Sequence, residues 1–212
     1  YATQAEADKA NLVNSSMQAY QAGDVRFIDQ NNDGRIDIKD RISLGSAAPD
    51  YFGGFYTNFR YRHFALSAEF AYSKGNKAYN AVRRTLESAS SFSNQSVAVS
   101  NRWSVEGQVT DMPRATFGDA IGNNNFSSRW IEDASYLRIK NITLSYNFDK
   151  PIWNFFRSGT IYVTGENLLT ATKYLGLDPE FAYSSSDNAT QGFDYAKVMQ
   201  PKSVKLGINL KF

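Results

Sequence analysis

The residues best placed to do chemistry lie in one run of twelve, Asp29-Gln30-Asn31-Asn32-Asp33-Gly34-Arg35-Ile36-Asp37-Ile38-Lys39-Asp40. Oxygen-bearing side chains stand at positions 1, 3, 5, 9 and 12 of the run, with glycine at 6 and an apolar residue at 8. That spacing matches a calcium loop: a hard cation wants six to eight oxygens, and the backbone must turn sharply at Gly34 to aim them inward. The candidate ligands are Asp29, Asn31, Asp33, Asp37 and Asp40, with Arg35 contributing its carbonyl. Asp40 stands where the usual loop has Glu. The ion would be structural Ca2+, a counter-ion for four crowded aspartates. The alternative is a carboxylate-rich turn closed by Asx hydrogen bonds without metal.

Other chemistries find little support. There is no cysteine and only one histidine, His63, so disulfides, thiolate metal sites and histidine catalysis drop out. Glu132 and Asp133 form an acidic pair, but no nucleophile, base and orienting group can be assembled around them, and we expect no enzyme. A dispersed net charge of +2 gives no reason to expect nucleic acid as a partner.

The elements that must position the loop are strands. From Ser203 to Phe212 the pattern has period 2: Val204, Leu206, Ile208, Leu210 and Phe212 on one face, Lys205, Gly207, Asn209 and Lys211 on the other. An apolar face of this kind, with no later element to cover it, suits a strand facing lipid. No run of 17 to 25 apolar residues is present, so a helical span is excluded; a barrel needs none, and its alternation is compatible with a mean hydropathy of −0.47. With 13 Tyr and 15 Phe the chain has aromatics enough for interfacial girdles.

Taken in order, residues 1–22 predict a short helix, ended by Gly23, in an external loop; residues 23–50 hold the calcium-type loop, also external; residues 51–212 carry strands. Phe55, Thr57, Phe59 and Tyr61 share one face against Tyr56, Asn58 and Arg60. Phe64, Leu66, Ala68, Phe70 and Tyr72 then alternate with small and polar residues. Only Arg62 and His63 separate these strands, which predicts a tight hairpin. A long polar loop follows over about 74–132, with a possible helix around 78–88. In Ser135 to Phe148 the apolar parity changes between Ile139 and Ile142, which predicts a β-bulge at Lys140-Asn141. Asp149 to Ser158, with Pro151 and Trp153, reads as a turn with interfacial aromatics. Ile161, Val163 and Gly165 mark a fourth strand, and 168–200 a second long loop. The fold class is all-β: five antiparallel strands, part of a larger transmembrane barrel, with short periplasmic turns and long extracellular loops. Five strands cannot close such a barrel, and the N-terminal residues have no leader-peptide character, so this stretch is expected to come from a longer exported chain.

Several stretches resemble the SusC/RagA family of TonB-dependent outer-membrane transporters, in its C-terminal portion. They are Gly23-Asp24-Val25-Arg26-Phe27-Ile28-Asp29 running into the acidic loop, Arg129 to Tyr146, Gly165-Glu166-Asn167-Leu168-Leu169-Thr170, Gly176-Leu177-Asp178-Pro179-Glu180 and the ending Leu206 to Phe212. The resemblance implies a plugged barrel of the 22-stranded class. It also implies a SusD-like surface lipoprotein, energy drawn through TonB, and oligosaccharide or peptide cargo. Phe212 would serve barrel assembly. On this reading Tyr56, Asn58, Arg60, Glu69, Arg138, Tyr162, Glu166, Lys205 and Lys211 face the lumen or its rim. The loop aromatics Phe92, Trp103, Phe117, Phe181, Tyr183 and Phe193 could stack on sugar rings, contact the lipoprotein or simply pack. The alternative is a secreted calcium-dependent carbohydrate-binding β-sandwich, which requires a second apolar layer over each strand face.

Overall fold

The computed structural model describes residues 1–148, 157–181 and 190–211. The expectations for Pro151, Trp153, Tyr183 and Phe212 lie outside the described residues. In chain order the elements are α1 (Gln4–Ala10), β1 (Val13–Asn14), β2 (Arg35–Ile36), β3 (Tyr51–Tyr61), β4 (Phe64–Lys74), β5 (Lys77–Asn80), α2 (Ala81–Leu86), β6 (Ile131–Asp133), β7 (Tyr136–Phe148), β8 (Ser158–Thr172), β9 (Phe193–Asp194) and β10 (Ser203–Lys211). They fall into two compact units, one of residues 1–45 with 79–131 and one of residues 46–78 with 132–212. This differs from a division into successive segments 1–22, 23–50 and 51–212: the first 45 residues cluster with most of the long loop.

The second unit is built on an antiparallel five-stranded sheet in the order β10-β8-β7-β4-β3, so every neighbour in space is a neighbour among the long strands in sequence. β3 and β4 meet through Arg62 and His63 alone, with Arg62 in the left-handed region (φ 52°) that such a tight turn demands. Register carries the side-chain alternation across the sheet. On one face Phe59, Leu66, Leu144, Val163 and Leu206 stand in one row, and Tyr61, Phe64, Tyr146, Ile161 and Ile208 in the next. Among the described residues no second layer covers this apolar face; Leu206 is 75% exposed and Val204 70%. That counts against the β-sandwich alternative, whose strand faces must be covered.

The bulge expected at Lys140-Asn141 is present. Asn141 pairs Glu69 while Ile139 pairs Phe70, so Lys140 is the extra residue opposite β4. Sequence reading missed its counterpart in β8. There Asn141 pairs Glu166 and Ile139 pairs Leu169, which sets Asn167 and Leu168 against Lys140 alone, one residue more in β8 than in β7, with Asn167 at φ 51°. The two irregularities together keep Ile139, Leu137, Leu169 and Ala171 on the apolar face. They also hid the length of β8, expected only around Ile161 to Glu166, because apolar parity breaks at Leu168. A small core of Ala78, Ala134 and Tyr174, with Phe181 against it, lies beyond the strand ends, where β6, β5 and β9 form a three-stranded sheet.

In the first unit, α1 starts at Thr3, whose Oγ1 accepts the Glu6 amide at 3.2 Å, and stops at Asn11 in the left-handed region (φ 50°). The helix is therefore much shorter than residues 1–22. Beyond it Asn14, buried, accepts the amides of Ser16 and Gln18, so local side-chain bonds replace helical ones. The helix expected near 78–88 is α2, capped by Asn80, whose Oδ1 accepts the Arg83 amide.

Candidate functional site

The face opposite the apolar one is polar in every row, and the register assembles it. Tyr56, Glu69, Asn141, Glu166 and Ser203 are successive partners across all five strands. The next row runs Asn58, Ser67, Thr143, Thr164 and Lys205, followed by Arg60, Ala65, Ser145, Tyr162 and Gly207. Within these rows Lys205 Nζ donates to Glu166 Oε1 at 2.5 Å, Ser203 Oγ to Glu166 Oε2 at 2.8 Å, and Asn58 Nδ2 to the Tyr56 hydroxyl at 3.1 Å. Thr143 and Thr164 share a hydroxyl bond of 2.8 Å. Gly207 is where Tyr162 lies: a Cβ built there would meet the Tyr162 ring at 2.2 Å.

Above the bulge the same face holds its strongest electrostatic group. Arg138, 3% exposed, donates through Nε to Thr170 Oγ1 (2.8 Å), Nη1 to Glu180 Oε2 (2.7 Å) and Nη2 to Asp178 Oδ1 (2.5 Å), so three of its donors find oxygen. Lys140, the bulge residue, donates to both oxygens of Glu180. Asp178 Oδ1 also accepts the Glu180 amide and Oδ2 the Gln200 amide. Burial works against the Asp178 charge, yet Arg138 and those two amides prevail and hold its carboxyl below the usual carboxylate range. The network ties the segment following β8 to the wall. Nearby the Tyr174 hydroxyl donates to Asp194 at 2.5 Å, and burial followed by that bond pushes the phenol far up, so it stays protonated.

The acidic loop is closed by its own backbone. Asp29 Oδ2 accepts the Gly34 amide at 2.8 Å, Asn31 Oδ1 the Asp33 amide at 3.0 Å, and Asp33 Oδ1 the Arg35 amide at 2.9 Å. Asp37 Oδ1 accepts Lys39, and both oxygens of Asp40 are taken by the amides of Gln30 and Asp37. Among the described residues no three Asp, Glu or His side chains come together as an ion-holding group. Two atoms of the loop are left over: Asp29 Oδ1 and Arg35 Nε are buried without a hydrogen-bond partner. The Asp37 amide first, and then other bonds that include a side-chain contact with Asp29, keep the Asp40 carboxyl below its usual range.

No family model matches the chain. It is 32% identical over 195 residues to TonB-dependent receptor P26 of Formosa agariphila, covering 90% of this chain and 20% of that protein. To TonB-dependent receptor SusC of Bacteroides thetaiotaomicron it is 28% identical over 193 residues, covering 88% of this chain and 17% of that one. The structure of the RagAB peptide importer in its closed-closed state matches with a TM-score of 0.65 at 25% identity, over 95% of this chain and 20% of that chain. A second RagAB structure, described as a peptide transporter, matches with a TM-score of 0.69 at 26% identity, over 84% of this chain and 19% of that chain. Over about nine tenths of its length the chain is similar to one stretch of TonB-dependent outer-membrane receptors of the SusC/RagA type. It spans about a fifth of the length of the curated relatives it matches.

As a SusC/RagA-type chain it is outer-membrane β-barrel wall, which makes the apolar face the lipid side and the polar face the lumen side. The structure gathers Tyr56, Glu69, Glu166, Asn58, Lys205, Arg60 and Tyr162 into three adjacent lumen rows, with Arg138 above them and Lys211, paired with Ser158, at the far end. The loop aromatics divide. Trp103 is structural: its ring covers Gly23, and Nε1 donates to the Ala2 carbonyl. Phe181 packs on Tyr174, and Phe193 stacks with Tyr195. Phe92 and Phe117 pair at 5.1 Å with their rings largely in solvent. Glu132 and Asp133 serve the backbone, accepting the amides of Leu175 and Ser135.

Two clusters escaped sequence reasoning. One is the set of Asp178 and Glu180 on Arg138 and Lys140; the acids flanking Pro179 were visible, but their basic partners lie about 40 residues earlier. The other is in the first unit. Asp24, with its side chain wholly buried, takes a two-pronged bond from Arg114 at 2.8 and 3.1 Å, another from Asn123 Nδ2 at 3.0 Å, and the Gln21 amide. Asn123 Oδ1 in turn accepts the Val25 amide.

Proposed function

We propose that this chain supplies five strands of wall to an outer-membrane importer that takes up oligosaccharides or peptides, draws on TonB for energy and works with a SusD-like surface lipoprotein. The observation that carries the reading is the two-sided sheet: apolar rows on one face and continuous polar rows on the other, bridged by Glu166–Lys205 and Arg138–Asp178. Such a sheet separates lipid from a water-filled lumen. The peptide importer among the structural neighbours favours peptides as the first class to test. The experiment is uptake by cells expressing the full-length receptor with its partner lipoprotein, offered labelled peptide mixtures and labelled oligosaccharides in turn. Accumulation that disappears on deleting TonB supports import and names the class. Accumulation of neither, with both proteins at the surface, defeats the reading.

We further propose that the loop formed by Asp29, Asn31, Asp33, Arg35, Asp37 and Asp40 holds a structural Ca2+. The buried, unpartnered Asp29 Oδ1 favours it, because a buried carboxylate oxygen that accepts no hydrogen bond is a place for a cation. Both oxygens of Asp40 and both of Asp33 already accept hydrogen bonds, so the ion would rest first on the unpartnered Asp29 Oδ1. Terbium luminescence of the full-length protein tests it. A saturable signal displaced by Ca2+ and lost in D29A/D33A is the expected result. No signal leaves the metal-free Asx turn.

A further inference from the structure

At the loop end of the sheet the lipid side is hollowed into a groove of about 540 Å³. Its walls are the outward positions Tyr51, Tyr72, Lys74, Leu137, Ala171 and Lys173; of the inward set only the single row Ser73, Tyr136 and Thr172 reaches it. The opening therefore faces the membrane and not the lumen. Two chemistries meet in it. Leu137 and Ala171, register partners, make an apolar floor, and the rings of Tyr51 and Tyr72 stand edge to face at 6.2 Å beside it. One residue beyond the row Ser73-Tyr136-Thr172 come Lys74 and Lys173, one on each side of Ser135. Two strand spacings separate their backbones, about 10 Å, within reach of two lysine side chains converging on one anion.

Both lysines are exposed, and neither enters an ion pair among the described residues. The carboxylate in the groove, Asp133, is already engaged by the Ser135 hydroxyl and amide. Bonds from Ser135 first, then the lysines Lys77 and Lys74, keep it ionised below the usual carboxylate range. The lining thus carries two cations against one satisfied anion, for a net charge of +1. The end of the sheet fixes the leaflet. Its opposite end has the two-residue Arg62-His63 turn, whereas here the strands run into the long connections, the extracellular side of such a barrel.

We propose that this groove seats a phosphorylated lipid of the outer leaflet, with the phosphate between Lys74 and Lys173 and the first part of an acyl chain over Leu137 and Ala171. The aromatic pair marks the interface depth at which the phosphate lies. Each lysine near an anionic surface contributes about a fivefold gain in affinity, so the pair contributes about thirtyfold. The proposal rests on membrane placement alone and is independent of the cargo.

The test is native mass spectrometry of the full-length receptor in nanodiscs containing a phosphorylated glycolipid or its dephosphorylated counterpart, for wild type, K74E/K173E and K74Q/K173Q. Phosphorylated lipid retained by wild type, lost about thirtyfold in K74Q/K173Q and further in K74E/K173E, with unchanged melting, is the expected result. Equal retention of both lipids, or no change in the glutamine variant, overturns the proposal. So does binding of inorganic phosphate by lipid-free receptor as tight as that of the lipid, which would make the groove a simple ion site.

Discussion

Arg138 is the residue on which the lumen side depends most. A buried ion pair contributes little against a well-packed apolar substitute, but breaking it leaves an uncompensated charge and costs about 3–5 kcal/mol. Asp178→Ala should therefore release the segment that follows β8, measured as faster hydrogen exchange over residues 173–181, while the neighbouring strands keep their protection. The same pair gives a pH dependence with a definite sign. Because the Asp178 carboxyl lies below its ordinary range, the anchoring is complete above the ordinary carboxylate pKa and is lost as pH falls through the depressed value. Acid exchange experiments should show the segment loosening only below the usual carboxylate range, and D178N should abolish the dependence. In the first unit Asp24→Ala should cost a similar 3–5 kcal/mol, since Arg114 and Asn123 would both lose their acceptor; the check is melting of the full-length protein. None of these partnerships was legible in the chain, because sequence shows charges and not which distant charge each one meets. The turn in the acidic loop was legible for the opposite reason: the side chains that close it bond amides within the same twelve residues.

Elements were readable wherever alternation was unbroken. β3, β4 and β10 follow from period 2, and the Lys140 bulge from one parity change. β8 was read too short because Asn167 and Leu168 interrupt its pattern, and a lone strand cannot reveal that its partner absorbs the slip. The left-handed Asn167 offers a direct test. Asn167→Val should destabilise by about 1–2 kcal/mol, because a β-branched side chain resists that backbone region, whereas Asn167→Gly should be nearly neutral. Thermal unfolding of the two variants side by side separates backbone strain from loss of the bond that Asn167 Nδ2 donates to the Pro201 carbonyl at 3.2 Å. α1 was read too long for a related reason: its composition favours helix throughout, but Asn11 and Asn14 supply competing side-chain bonds that propensity does not register.

For the whole molecule the decisive property is that one face meets lipid. Ten residue steps from Tyr51 to Tyr61 span about 33 Å along the strand, or about 25 Å along the membrane normal at the usual tilt, the height of a barrel's apolar band. Leu206→Arg should therefore cost about 2–4 kcal/mol, while Asn209→Arg, on the lumen side of the same strand, should cost far less. Urea unfolding in phospholipid vesicles compares them directly. Fold class was legible because this two-sidedness repeats in every strand; cargo was not, because the polar rows bind mostly one another. Among the described residues the sheet also ends at β3 on one side and β10 on the other, each leaving a row of amides and carbonyls without a partner strand. Each row is a template for another strand. Produced apart from the rest of the wall, this sheet would recruit copies of itself and grow into open ribbons. In the cell, then, a mutation that delays the pairing of these strands with the rest of the wall would be read out as aggregation in the periplasm rather than as failed transport.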